Sequence, residues 1–388
     1  NNCAHALCGA GPRRYHRELE LMPPSTILKM PSPEAIAPQF APPPRRVLIV
    51  LMGAIGDVVR ALPLLGRIRK AWPEAHIAWA VEPKSKAVLE HHRWLDEIIV
   101  YDRAHAPWTF IPFLRRVRKG RFDLVIDLQR HLKSGFTSRI SGAGARFGFD
   151  SANTKEFNHR FSNHRIPPQP NMRLKLMQYQ AFGDALGLAQ SPVEFGLAAT
   201  DDERARALKM LADADAPRPI LAVILGSSWP SRIYFPESTA AVIRRLARAD
   251  GDSPALFPLL LGGPDETKLA GEVMRHLDGV PALNFAGRTS LRDLIAIFTE
   301  CAVAFGPDSG PMHIAAAVGC PVVSLWGATA AERSAPWGFA DLAISGAIPC
   351  HPCYLRKCPI GRECMRRISP EEVSVTVRRA FAIREATR

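Results

Sequence analysis

Short apolar runs, each closed by glycine or small polar residues and followed by a segment of helical spacing, recur along the chain from residue 45 onward. Val47, Leu48, Ile49 and Val50 leave no polar face between them, so residues 45–51 read as a strand buried on both sides. Met52-Gly53-Ala54-Ile55-Gly56-Asp57 then turns the chain into a helix that runs to Trp72. The alternation predicts strands over 76–81, 97–101 and 122–127, helices over 84–91 and 110–119, and a further strand signal at Arg146-Phe147-Gly148-Phe149. Residues 153–170 are polar and proline-bearing and read as a loop, residues 173–186 as a helix, and residues 189–200 as a linker.

A second series follows a helix over 201–211. Its strands are predicted over 219–225, 255–261, 282–285 and 302–305. Phe235-Pro236 opens a helix, and Ser290 stands at capping-box spacing from Asp293 before a helix that reaches Phe298. After Phe305, Asp308 or Ser309 can cap a helix, Pro311 suits its first turn, Gly319 stops it, and residues 321–326 form the next strand. Strands alternating with helices imply an α/β fold with doubly wound parallel sheets.

A chain of 388 residues exceeds one ordinary core, so two units are expected. Residues 1–44 carry Pro23-Pro24, Pro31, Pro33, Pro38 and Pro42-Pro43-Pro44 without apolar periodicity and read as a disordered extension. The first unit is expected over residues 45–197 and the second over 198–369. The C-terminal helix, 370–388, is expected to pack back on the first.

The composition, 47% hydrophobic and 22% charged, is that of a globular protein. No apolar run is long enough to span a bilayer and no signal-peptide pattern opens the chain, so a soluble, cytoplasmic protein is expected. The formal net charge of +13 calls for anionic company. Nucleic acid is not expected, because no stacking aromatics interleave with the basic residues. Solvated helix faces such as Arg67-Ile68-Arg69-Lys70 account for most of the charge, with attraction to an anionic membrane surface as an addition.

The candidate chemistry sits where strands end. The first turn lacks the G-x-G-x-x-G spacing of a dinucleotide fold and the Gly-Lys-Ser/Thr of a Walker loop. It does place Asp57 at the mouth of a strand-to-helix turn, as a helix cap or as a reactive carboxylate. Arg130 and Lys133 follow the 122–127 strand and face either an acidic ligand or solvent. In the second series, Ser227, Ser228 and Arg232 offer hydroxyls and a fixed cation suited to a diphosphate. Gly262-Gly263 permits close backbone approach, and Asp265 or Glu266 can accept from ribose hydroxyls. Asp308-Ser309-Gly310 heads a helix whose free amides suit a phosphate, or simply a well-capped helix. Cys350, Cys353, Cys358 and Cys364 are close enough in sequence to bind a structural metal or to pair; reduced loop thiols are the cytosolic expectation.

Taken together, Gly56-Asp57, Gly226-Ser-Ser-Trp-Pro-Ser-Arg232, Gly262-Gly263-Pro264, the run from Asp308-Ser309-Gly310 through His313 to Pro321, and the cysteine cluster resemble glycosyltransferase family 9, the ADP-heptose:lipopolysaccharide heptosyltransferase family. The resemblance covers about residues 45–385. It implies a GT-B architecture of two facing Rossmann-like domains. It further implies inverting, metal-independent transfer of heptose from ADP-heptose, with Asp57 as general base and no cofactor. Ser227, Ser228, Arg232, Gly263, Asp265, Asp308, Ser309, Gly310 and His313 fall on the donor side, although His313 equally suits a structural role. Arg232 stands where family members often carry lysine. The implied partners are ADP-heptose, a Kdo- or heptose-bearing lipid A acceptor and the inner membrane surface, with no nucleic acid. Another nucleotide sugar or acceptor, or a non-catalytic nucleotide-binding protein, is the alternative.

Overall fold

The computed structural model describes residues 40, 42–106, 108–251 and 253–387. Most of the proline-rich extension lies outside the described residues. Phe40, near its end, packs against Trp72 and Phe147 with ring centroids 5.6 Å and 6.2 Å away.

Two six-stranded sheets organise the chain, and every strand pair within them is parallel. The first contains β1 (Arg46–Val50), β2 (His76–Val81), β3 (Glu97–Val100), β4 (Leu124–Asp127), β5 (Ala145–Gly148) and β6 (His164–Arg165), in the order β3-β2-β1-β4-β5-β6. Its helices are α1 (Ile55–Ala71), α2 (Pro83–Leu89), α3 (Phe110–Lys119), α4 (Leu132–Ile140) and α5 (Lys175–Ala185). Beyond an irregular stretch, α6 (Asp201–Asp213) leads into the second sheet.

That sheet contains β7 (Ile220–Ile224), β8 (Phe257–Leu261), β9 (Leu283–Asn284), β10 (Val303–Pro307), β11 (Val322–Trp326) and β12 (Ala343–Ser345), in the order β12-β11-β10-β7-β8-β9. With it run α7 (Pro236–Leu246), α8 (Thr267–Arg275), α9 (Leu291–Glu300), α10 (Gly310–Ala317), α11 (Ala331–Ser334), α12 (Glu363–Arg366) and α13 (Pro370–Thr387). Counted from its own first strand, the second sheet repeats the strand order of the first. In each, the order reverses between the first and fourth strands, where a doubly wound sheet opens a crevice at its strand ends.

The continuous apolar runs are explained by burial on both faces. Val47 and Ile49 of β1 enter one core while Leu48 and Val50 enter another; in β7, Ile220, Ala222 and Ile224 separate in the same way from Leu221 and Val223. Both sets with Val47 and Ile220 belong to one apolar cluster that also takes in α1, α9 and α10, so the two sheets share a core along one side.

Three expectations change. α13 packs on the second sheet rather than the first: Val373, Val377, Ala380 and Phe381 join the core of β10 and β11. Arg67 is not a solvated face. It is 4% exposed and donates to Ala189 O, Gln180 O, Leu188 O and Asp184 Oδ1, fixing α1 to α5 and the strand of chain that follows. Finally, α4 forms where only a polar strand end was read. Its Ser134, Gly135, Thr137 and Ser138 have weak helix propensity, but they are buried, and a Cβ on Gly135 would lie 2.7 Å from Phe161 Cδ2. Small residues there serve close packing.

Candidate active site

Both sheets bring their reversal points to a shared seam. At the first, β1 ends and α1 starts after Ala54, which occupies the cap position without a side-chain bond. The cap reading of Asp57 is therefore incorrect, since Asp57 lies inside the first helical turn. Its Oδ1 accepts from Lys175 Nζ at 2.5 Å and from Arg60 Nη2 at 2.6 Å. Its Oδ2 has no hydrogen-bond partner among the described residues. Burial opposes the charge on Asp57, but the Lys175 and Arg60 cations and their hydrogen bonds outweigh it and hold the carboxyl far below the usual carboxylate range. Burial is also the main reason why Lys175 is pushed down to about 8, with Asp57 opposing that shift.

Arg130 is brought into this neighbourhood. It lies over the Phe149 ring at 4.2 Å, bonds Gln178 Oε1 and feels the charge of Asp57. Lys133 is directed elsewhere, to Glu82 Oε1 at 2.8 Å and over the Tyr101 ring. Tyr179 and Arg333 complete the electrostatic surroundings of Asp57 and Lys175.

At the second reversal point, Ser227 Oγ donates to Asp308 O at 2.7 Å, tying the loop after β7 to the end of β10. Arg232 Nη1 lies 3.1 Å from Asp308 Oδ2, and Thr329 Oγ1 donates to that oxygen at 2.7 Å. The Arg232 guanidinium also stacks 3.9 Å above the Trp229 ring, while its Nε is buried without a partner among the described residues. Ser309 occupies the cap position of α10 with extended backbone, yet its Oγ makes no cap bond and is buried without a partner among the described residues. Unpartnered buried donors beside a helix N-terminus are suited to receive an anion. Ser228 is exposed.

The loop after β8 is arranged differently from expectation. Glu266 folds back so that its Oε2 accepts from Gly263 N at 2.7 Å, and a Cβ on Gly226 would lie 2.3 Å from Glu266 Cδ. The glycines here admit Glu266. Asp265 is exposed and Glu266 half-buried.

The cysteine-bearing segment packs against the loop after β7 and the turn after β11. Leu355 O accepts from Ser231 Oγ at 2.6 Å, Arg362 Nη1 donates to Ile233 O at 2.8 Å, and Tyr354 N donates to Ala328 O at 2.7 Å. Cys364 is buried, Cys353 and Cys358 are half-buried, and Cys350 is exposed. Among the described residues, no group of three or more His, Cys, Asp or Glu is arranged to hold a metal ion.

The two reversal points meet because two glycines let α1 and α10 touch at their N-termini. A Cβ on Gly56 would lie 2.7 Å from His313 Cδ2, and one on Gly310 would lie 2.7 Å from Ile55 Cβ. Arg60 bridges the seam, with Nη1 at 2.7 Å from His313 Nε2 and 3.3 Å from Ser334 O. Burial and then the Arg60 charge hold His313 well below its ordinary range, so the ring is neutral and Nε2 accepts from Arg60. His313 thus orders the contact between the two helices.

Residues 111–363 match the family described as glycosyltransferase family 9 (heptosyltransferase). The chain belongs to glycosyltransferase family 9. This family 9 enzyme is 26% identical over 373 residues to lipopolysaccharide heptosyltransferase 1 of Pseudomonas aeruginosa, a match covering 88% of this chain and 100% of that protein. Among solved structures, a glycosyltransferase family 9 protein of Veillonella parvula superposes with TM-score 0.73 at 20% identity, over 87% of this chain and 97% of that one. An Escherichia coli heptosyltransferase solved with ADP superposes with TM-score 0.64 at 20% identity, over 86% and 99% of the two chains. These likenesses identify the two-unit architecture as GT-B.

Sequence reading missed Arg60, Lys175, Tyr179 and Arg333. Arg60 had a local signal, three residues after Asp57 on the same helix. Lys175 lies 118 positions from Asp57, and no spacing rule connects them.

Proposed function

We propose that this glycosyltransferase moves heptose from ADP-heptose to the inner core of lipopolysaccharide, inverting the anomeric centre without a metal ion, with Asp57 as general base. The observation that carries the proposal is the seam itself. The open Oδ2 of Asp57 heads one helix at the point where that helix touches the N-terminus of α10, whose Ser309 has an unused hydroxyl. The names of the relatives support the sugar and the acceptor, since the Pseudomonas aeruginosa protein is a lipopolysaccharide heptosyltransferase and the Escherichia coli enzyme was also solved with ADP-2-deoxy-2-fluoro heptose.

In this reading the acceptor oxygen attacks the anomeric carbon from the face opposite the diphosphate. A new C–O bond forms, the bond to the diphosphate breaks with its electron pair leaving on ADP, and the hydroxyl proton passes to Asp57 Oδ2. Arg232 Nε, Ser309 Oγ and the first amides of α10 receive the charge that develops on the diphosphate. Glu266 suits the ribose hydroxyls better than Asp265, because its carboxylate is already held by Gly263 N after β8 and lies beside Gly226 after β7.

Contact with an anionic membrane surface is part of the proposal. Among the described residues no helix is long and apolar enough to cross a membrane. The first unit does expose Leu132 (49%) and Phe136 (38%) on a groove of about 560 Å³; Trp108 (85%) and Ile111 (52%) are also exposed, and Arg115 and Lys119 follow Ile111 along the exposed face of α3. Flotation with anionic vesicles, but not with neutral ones, is the expected result.

The test of the reaction is a panel of nucleotide sugars offered with a Kdo-bearing lipid A acceptor, with and without EDTA, and read by product mass. Heptose addition from ADP-heptose in both conditions is expected. Consumption of a different nucleotide sugar instead would overturn the donor assignment.

A further inference from the structure

The surroundings of Asp57 contain more positive charge than the fold uses. Both terminal nitrogens of Arg60 are engaged, by Asp57, His313 and Ser334, with only its buried Nε unpartnered among the described residues, and Arg130 is engaged by Gln178 and the Phe149 ring. Lys175 is different. Among the described residues Asp57 Oδ1 is its only side-chain hydrogen-bond or ion-pair partner, and 21% of its side chain remains exposed. Arg333, which faces the same group from α11, has no hydrogen-bond or ion-pair partner among the described residues. One carboxylate therefore answers four cations in a site with low access to water, and such a surplus attracts an anion.

A carboxylate gripped through one oxygen by two cations is a weak proton acceptor, because basicity falls with the carboxyl pKa. The Arg60 contact is built into the seam, so the removable contact is Lys175. Its helix does not need to move: Arg67 clamps α5 to α1, and the flexible four-carbon stem of lysine permits Nζ to swing alone.

We infer that Lys175 docks an anionic group of the acceptor, a carboxylate or a phosphate, and that this group draws Nζ off Asp57 Oδ1 so that Asp57 can take the proton of the attacking hydroxyl. The inference rests on the glycosyl-transfer reading of the site. The proton balance is unchanged, with the hydroxyl proton ending on Asp57 and the leaving electron pair on ADP. Asp57 would then gain the basicity that Lys175 suppresses only with the correct acceptor in place, which discriminates against water as an acceptor.

The groups facing Lys175 are Asp57 and Arg60 from α1, His313 from α10 and Arg333 from α11, while Arg130 from the loop after β4 and Tyr179 from the helix of Lys175 face its partner Asp57. His313 is neutral, the arginines keep their charge, and Tyr179 is pushed above its ordinary range, chiefly by burial. Lys175 is left as the group whose charge changes near pH 8.

The experiment compares the wild type with Lys175→Met and Lys175→Arg. It measures steady-state kinetics across pH, donor-free binding of the acceptor lipid, and ADP affinity as a check on folding. Lys175→Met is expected to raise the acceptor KM and Kd by about tenfold or more while changing kcat only a few-fold and leaving ADP affinity intact. In the wild type, kcat/KM for the acceptor is expected to fall as pH rises through about 8. Lys175→Arg is expected to restore acceptor binding and remove that alkaline limb. Acceptors with the sugar-acid carboxylate esterified, or with the phosphates removed, identify which anion Lys175 reads, because the matching one loses its sensitivity to Lys175→Met. An unchanged acceptor Kd with a collapsed kcat in Lys175→Met would overturn the inference, as would persistence of the alkaline limb in both variants. The binding arm needs no donor, so a wild type that ignores ADP-heptose yet binds the acceptor through Lys175 would overturn the donor assignment and uphold this inference.

Discussion

The two reversal points have the same strand order but are built in opposite ways. The point on the second sheet is made largely from two short loops. Ser227 pins one loop to the other, Arg232 pairs with Asp308 between them, and Ser309 heads α10 with its hydroxyl unused. The Asp57 point is made from side chains that start far apart: Arg60 on α1, Lys175 and Tyr179 on α5, Arg130 after β4 and Arg333 on α11. Here one carboxylate is surrounded by cations, whereas on the donor side Arg232 meets a carboxylate of its own. The difference matches the tasks proposed for them. A diphosphate is held by fixed donors and a helix N-terminus, while a proton acceptor must be kept charged and released at the right moment.

Among changes that leave Asp57 in place, Arg232→Ala tests the fixed side of this comparison most strongly. It removes a buried cation from Asp308 and from the diphosphate, and kcat/KM for the donor is expected to fall about 100-fold, by steady-state assay. If only the acceptor KM changed, the donor role of this reversal point would be wrong. Next in size is Gly56→Ala, whose new Cβ would press on His313 Cδ2 and part the two helix N-termini. Turnover is expected to fall about tenfold while ADP affinity holds, because misplacement of reacting groups is costly even where binding survives.

The smallest expected effect on activity lies away from both points. Glu203 and Arg292 form an ion pair at 2.5 Å that joins α6 to α9, and both side chains are almost entirely buried. Glu203→Gln is expected to cost about 3 kcal/mol in urea unfolding at neutral pH with turnover unchanged at low temperature. Hydrogen bonds from Arg292 hold the Glu203 carboxyl at about 2, below its ordinary 4.5. The stabilisation is therefore present above 4.5 and lost as pH falls toward 2, so the wild type and the variant should converge over that window.

The contrast also explains what the sequence made legible. Most strands and helices were readable because each carries its own period and punctuation: Ser290 and Asp293 do form a capping box, and Gly319 stops α10 at φ +80°. The loops of the second reversal point were readable as loops because consecutive positions such as Asp308-Ser309-Gly310 carry both the turn and the polar groups. Their side-chain pairing was not: nothing local indicates that Glu266 folds over Gly226 or that Asp308 is held by Arg232 and Thr329. On the other side only Asp57 stood out. Lys175 follows a proline-bearing loop and reads as an ordinary helix lysine, and Arg67 reads as a solvated charge, because burial of a long basic side chain depends on partners contributed by distant segments.

The central claim is that Asp57, on one sheet, completes a reaction whose leaving group is held by the other. The most direct test is the turnover rate of Asp57→Asn measured beside its ADP affinity. Asparagine keeps the shape and a hydrogen-bond acceptor but cannot serve as a base, so kcat is expected to fall about 1,000-fold while ADP binds within a few-fold of wild type. Turnover close to wild type in that variant would contradict the claim.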